Sequence, residues 1–198
     1  MKLVIATGNR SKGKEMADIL RDVGIEILTF SDFPDVNAEV DETGSTYVEN
    51  AELKAVAATQ ATGHVCIADD AGLEIDALDG QPGLYSRRFL GEDTPFDEKM
   101  DWILRTLEDV PDEERGCRFN CAVAIATPHG RVLHCAGICE GQVARQKRGE
   151  YGFGYDPIFY LPELGKHMAE LPPEVKHRIS HRGKALECAK RALIELAV

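Results

Sequence analysis

Asp69 and Asp70 stand side by side at the end of an apolar run, followed by Ala71 and Gly72, and an earlier acidic stretch holds Asp41 and Glu42. Carboxylates at the exit of a strand are typical Mg2+ ligands beside phosphates, and one of a pair can deprotonate water. Neighbouring strand residues point to opposite faces, so the two aspartates need a turn at 69–72 to converge. An Asx-type turn with solvated acids reads the same residues without a ligand. Near the N-terminus, Thr7-Gly8-Asn9-Arg10-Ser11-Lys12 lies between an apolar run and a helical pattern. A glycine lets backbone approach a ligand, and a helix N-terminus offers free N–H groups to phosphate. Lys12 and Lys14 fall in or near the first helical turn, where the dipole disfavours cations unless an anion is bound. A plain connection with solvated lysines is the other reading.

Two further groups lie in the second half. Gly152-Phe153-Gly154-Tyr155-Asp156-Pro157 frames an aromatic ring with glycines, which suits stacking on a planar base or, more simply, a turn with a core-facing ring. Lys176-His177-Arg178-Ile179-Ser180-His181-Arg182-Gly183 is a basic stretch in an acidic chain, read as a loop before the last helix. Arginine supplies directed donors to carbonyl and phosphate oxygens, and a solvated basic loop is the alternative.

These groups must be held by elements that the pattern also predicts. Residues 2–6 read as a buried strand, and Met16, Ile19, Leu20 and Val23 as one helical face stopped by Gly24. A second strand covers 25–30, an acidic loop 31–44, and Thr46-x-x-Glu49 a capping box opening a helix to Thr62. Strands follow at 64–68 and 73–78, a helix after Thr94-Pro95, and a hairpin of 119–126 with 131–140. The last helix covers 183–197. The fold class is α/β with a mixed sheet, since the hairpin breaks strict βαβ alternation.

The chain has 198 residues, 23 Lys+Arg against 34 Asp+Glu and a formal charge of −11, with 43% hydrophobic residues. One domain over 1–198 is the default at this length. The charge argues against nucleic-acid binding, and no apolar run is long enough for a membrane helix. With no secretory signal expected, the compartment is cytoplasmic and reducing, and the six cysteines read as small buried hydrophobes rather than disulfides. Within the hairpin, one antiparallel register with a three-residue loop pairs Cys117 with Cys139 and Cys121 with Cys135 as free thiols.

T-G-N-x-x-K at 7–12, E-T-G at 42–44, E-N-A at 49–51, A-D-D-x-G at 68–72, P-G-x-Y-S at 82–86, G-F-G-Y-D-P at 152–157 and S-H-R-G at 180–183 occur in one chain, in this order. The combination resembles the inosine triphosphate pyrophosphatase family, which hydrolyses deaminated purine nucleoside triphosphates (ITP, dITP, XTP) to the monophosphate and pyrophosphate. The resemblance implies a long mixed sheet flanked by helices, two lobes around a central cleft, a homodimer and Mg2+. It assigns the triphosphate to Thr7, Gly8, Asn9, Arg10, Ser11 and Lys12, and the metal to Glu42, Asp69 and Asp70, with Asp70 as general base and Lys12 assisting. Phe153 would stack on the purine. Gly154, Tyr155, Asp156, Lys176, His181 and Arg182 would line the substrate pocket, Arg182 offering donors to a 6-oxo group. Ala71 departs from the family, which often has Ser or Thr there, so a contact at 71 must come from backbone. A broader-specificity house-cleaning pyrophosphatase and a nucleotide sensor without turnover are the competing functions.

Overall fold

The computed structural model describes residues 1–36 and 40–197; positions 37–39 of the expected acidic loop lie outside the described residues. Seven strands form one mixed sheet in the order β2-β1-β3-β4-β5-β6-β7. They are β1 (Lys2–Ile5), β2 (Glu26–Thr29), β3 (Val65–Ile75), β4 (Gly116–Ala126), β5 (Val132–Val143), β6 (Phe159–Leu161) and β7 (Lys166–His167). The helices are α1 (Arg10–Leu20), α2 (Tyr47–Thr62), α3 (Phe96–Thr106), α4 (Pro173–Ile179) and α5 (His181–Ala197). Strand β1 runs parallel to both β2 and β3, while β6 pairs antiparallel with β5 and β7. Parallel strands need helical crossovers, which α1 and α2 supply. Among the described residues no helix is long and apolar enough to cross a membrane.

Contacts within the chain divide it into two compact units, each drawn from separate stretches. The first comprises Met1–Asp70, Cys121–Gly137 and His181–Val198; the second comprises Ala71–Asn120 and Ile138–Ser180. In the first unit, Ala51, Ala55 and Ala58 of α2 pack on Val4, Cys66, Ala68, Ala122 and Ala124 of the sheet. Alanines bring the helix close to the strands, so its polar side chains reach sheet residues directly. Helix α1 packs beside α5. The second unit has its own core of Leu73, Ile75, Met100, Ile103, Phe119, Tyr155, Ile158, Phe159 and Met168.

Helix α1 ends as its pattern predicts, passing through a 3-10 turn at Arg21–Val23 to Gly24 at φ 71°. Thr46 caps α2 by accepting from Glu49 N at 3.1 Å. Glu49 returns the favour one residue early, accepting from Ser45 N at 2.6 Å instead of Thr46.

Several expectations are corrected. No turn interrupts 69–72: β3 is continuous through both aspartates and Gly72, and no residue from 69 to 72 has a positive φ. Buried charges must be paired, and each of these acids is met by cations from packed helices. The chain reverses later, where Asp79 and Gly80 have φ 51° and 81°. Lys176, His177 and Arg178 belong to helix α4, not to a loop; its seven residues begin with Pro173 at the first helical position.

The hairpin is also two residues out of step with the expected pairing. Thr127 N donates to Arg131 O at 2.9 Å and Val143 N to Arg115 O at 2.9 Å, placing Cys117 opposite Gly141 and Cys121 opposite Gly137. A shift of two preserves the alternation of faces, so burial pattern alone cannot distinguish these registers. Finally, Cys135 is bonded to Cys188, whereas Cys66, Cys117, Cys121 and Cys139 are free and buried. Cys135 lies on β5 and Cys188 on α5, elements that the sequence gives no reason to bring together.

Candidate active site

The strand that carries both aspartates turns them to opposite faces, as period two requires. Asp69 faces α1 and α5. Its Oδ2 accepts from Arg182 Nε at 3.1 Å and Nη2 at 2.9 Å, with Lys12 Nζ 3.3 Å away. Arg182 Nη1 donates to Glu15 Oε2 at 2.7 Å. Asp69 Oδ1 is buried and has no hydrogen-bond partner among the described residues. Burial opposes ionisation of Asp69, but Lys12, Arg182 and Lys54 outweigh it and hold the carboxyl well below the usual range.

Asp70 faces α2 instead. Its Oδ2 accepts from Asn50 Nδ2 at 3.1 Å, and Lys54 Nζ lies 3.5 Å from its Oδ1. Lys54 Nζ also donates to Glu42 Oε1 at 2.8 Å, so one ammonium sits between two carboxylates. Burial pushes the Asp70 carboxyl above its ordinary value, with Lys54 and Lys12 opposing and Glu42 adding to the rise. Burial would lower the Lys54 ammonium, but Asp70, Asp69 and Glu42 together raise it. A carboxylate with a raised proton affinity beside an ammonium is suited to accept a proton from water.

The Thr7–Lys12 segment forms the entry to α1. Asn9 is its N-cap, its Oδ1 accepting from Ser11 N at 3.0 Å and Lys12 N at 3.1 Å, while Thr7 Oγ1 accepts from Asn9 N at 3.2 Å. The first turn contains no acid, and Gly8, Asn9, Arg10 and Ser11 are exposed. Nothing lies within 4 Å of where a Cβ on Gly8 would sit, so packing does not require glycine there.

The aromatic group is built within the second unit. Phe153 N donates to Asp156 Oδ2 at 2.8 Å, and Lys176 Nζ donates to the same oxygen at 2.8 Å. That ammonium lies 4.7 Å from the centre of the Phe153 ring, a cation–π contact. Gly152 has φ 75°, and a Cβ there would strike Asp156 Oδ2, so both conformation and space demand glycine. Phe153 and Gly154 are half-buried. Tyr155 turns into the core, its hydroxyl donating to Ser86 O at 2.8 Å and its ring packed edge-on against Phe96.

Of the expected metal set, the structure brings Glu42 and Asp70 together around Lys54 but leaves Asp69 on the other face. Among the described residues no group of three His, Cys, Asp or Glu side chains could hold a metal ion. The pair nonetheless fits a hard divalent cation, since both donors are carboxylate oxygens and already share one positive charge. Arg182 is engaged with two acids. Its Nε, Nη1 and Nη2 all donate to the carboxylates of Asp69 and Glu15, and its side chain is 2% exposed. His181 is buried at the start of α5, and Ala71 is half-buried after Asp70.

Sequence reasoning missed Glu15 and Lys54, and gave no role to Asn50, the middle residue of E-N-A at 49–51. Asn50 and Lys54 are four residues apart on an otherwise alanine-rich helical face, and that polar interruption was the available signal.

Residues 3–192 match the family model described as the Ham1 family. The chain belongs to the Ham1 family. Among Ham1 relatives, a dITP/XTP pyrophosphatase from Desulforamulus reducens is 48% identical over 198 residues, covering 100% of this chain and 98% of the relative. One of the same name from Geobacillus kaustophilus is 50% identical over 185 residues, covering 93% of this chain and 90% of the relative. The solved structure of a HAM1 protein from Coxiella burnetii superposes with a TM-score of 0.87 at 42% identity, covering 98% of this chain and 99% of that one. The mixed α/β sheet is therefore that of solved Ham1 structures.

Proposed function

We propose that this chain hydrolyses deaminated purine nucleoside triphosphates (ITP, dITP and XTP) to the monophosphate and pyrophosphate, clearing them from the nucleotide pool. The observation that carries this reading is Asp70, a buried carboxylate of raised proton affinity, held between Asn50 and Lys54 in a chain whose full-length relatives bear the name dITP/XTP pyrophosphatase.

Asp70 accepts a proton from water as the water oxygen attacks the α-phosphorus and the bond to the bridging oxygen of the pyrophosphate breaks. Lys12, near the exposed entry of α1, neutralises the triphosphate together with Arg10. Lys54 keeps the negative charges of Glu42 and Asp70 compatible with an anionic substrate. Glu42 and Asp70 are the residues that would hold Mg2+, which when bound supplies positive charge beside the departing pyrophosphate. Asp69, fixed by Arg182, serves to hold Lys12. Phe153 offers its face to the purine, with Gly154, Asp156 and Lys176 shaping that turn. The working form is a homodimer in the cytoplasm.

Purified protein given ITP, dITP or XTP with Mg2+ is expected to release pyrophosphate, read by phosphorus NMR, and to turn over ATP far more slowly. Chelation with EDTA should stop the reaction. Orthophosphate as first product would relocate the broken bond, and equal rates with ATP would overturn the substrate class.

A further inference from the structure

Helix α2 reaches Asp70 with two side chains one turn apart, and each of these is also joined to the 42–44 segment. Asn50 takes Asp70 Oδ2 through its Nδ2 at 3.1 Å and accepts from Gly44 N at its Oδ1, 2.8 Å away. Lys54 lies 3.5 Å from Asp70 Oδ1 and 2.8 Å from Glu42 Oε1. The two links differ in kind. Lys54 is a flexible ammonium whose partners can be exchanged. Asn50 is 2% exposed, short, and bonded at both ends of its amide. The approach of Gly44 is close enough that a Cβ there would come within 2.6 Å of Asn50 Oδ1 and 2.7 Å of Glu49 Cβ.

We propose that Asn50 is a positioning residue: its amide fixes the segment carrying Glu42 against the strand carrying Asp70, so that the two carboxylates are presented together. This rests on the reading of Asp70 as the base. The amide polarity is specified at both ends, because Gly44 N–H requires an acceptor and the Asp70 carboxylate requires a donor. An aspartate at this position keeps the acceptor for Gly44 but turns a carboxylate toward Asp70. An alanine removes both bonds. Displacing a reacting group by about 1 Å is enough to lower a rate on the order of 10²-fold, which sets the scale expected.

The test compares Asn50→Ala and Asn50→Asp, with the nearly isosteric aspartate as the variant that keeps the packing. Both should lower kcat for ITP by about 10- to 100-fold with KM changed less than about threefold. In the Asp70→Asn background, Asn50→Ala should cost less than about threefold, because its effect passes through Asp70. Amide exchange without nucleotide supplies the second readout: Gly44 N–H should lose protection in Asn50→Ala and keep it in Asn50→Asp. A merely structural role predicts equal losses in both backgrounds, and that result would overturn the proposal. So would a normal kcat in Asn50→Ala, or an unchanged Gly44 exchange rate in that variant. The two failures are separable: wild-type protein that releases no pyrophosphate overturns the functional reading and this proposal with it, whereas an active wild type with additive losses overturns the proposal alone.

Discussion

Arg182 gives two of its N–H groups, Nε and Nη2, to one oxygen of Asp69, a residue 113 positions earlier in the chain. The shared oxygen also faces Lys12 at 3.3 Å, and the far side of the guanidinium is held by Glu15 at 2.7 Å. Two acids and two bases therefore close one electrically balanced cluster, buried except for Lys12, linking β3, α1 and α5. Removing one partner from such a cluster leaves a buried charge unmatched. Arg182→Ala should cost about 3–5 kcal/mol. For a chain of this size that lowers Tm by roughly 6–20 °C, measured by calorimetry. A Tm within about 2 °C of wild type would mean the cluster rearranges without loss.

Asp70→Asn keeps the size of the side chain and removes its basicity. Turnover of ITP should fall by about 10² or more while nucleotide binding stays measurable by calorimetric titration. A rate near wild type would transfer the role of base to Glu42 or Asp69.

The Asp69 carboxyl is held below its ordinary value in the fold, so the unfolded chain binds that proton more readily. Its contribution to stability is complete above the unfolded value near pH 4 and is lost as pH falls toward the lower folded value. Asp69→Asn removes this dependence. Although less stable throughout, the variant should show a flatter decline of Tm below about pH 4 than wild type. Parallel curves would show that Asp69 does not carry the acid sensitivity.

Burial pushes the Cys121 thiol up to about 12 and raises Cys66 and Cys117 as well. Thiolate is the reactive form, so folded protein should take up iodoacetamide slowly at these sites. After denaturation without reductant, four labels are expected, on Cys66, Cys117, Cys121 and Cys139. Reduction should add labels at Cys135 and Cys188. Full labelling of all six without reductant would show that the Cys135–Cys188 bond is not formed.

What could be read from the sequence is what depends on near neighbours. Helix α1 with its Gly24 stop, the Thr46 cap and the apolar β1 all follow from spacing within one or two turns. Asp69 and Asp70 look like a turn because isolated buried acids do not belong in a strand, and the cations that make them acceptable arrive from Lys12, Lys54 and Arg182. The hairpin register escaped because a shift of two residues preserves every inward and outward position. Helix α4 escaped because its seven residues make only about two turns, too short for an apolar spacing to repeat. The candidate site was legible as a set of motifs, but its division by face was not. Which acid meets α2 and which meets α5 is settled only when Lys54 and Arg182 are in place.

The bond between Cys135 and Cys188 governs what cleavage does to the chain. The chain passes from the first compact unit to the second after Gly137 and returns at His181, and the bonded cysteines lie outside this excursion on either side. Everything from 138 to 180, including Phe153, Asp156 and Lys176, therefore lies within a closed covalent ring. A protease that cuts once anywhere in that stretch leaves both fragments in a single molecule, of unchanged size on a gel run without thiols. With the bond opened, the same nick leaves no covalent link between the residues beyond the cut, Arg182 among them, and the strand that carries Asp69. The state of two sulfur atoms thus decides whether a broken backbone means a broken molecule.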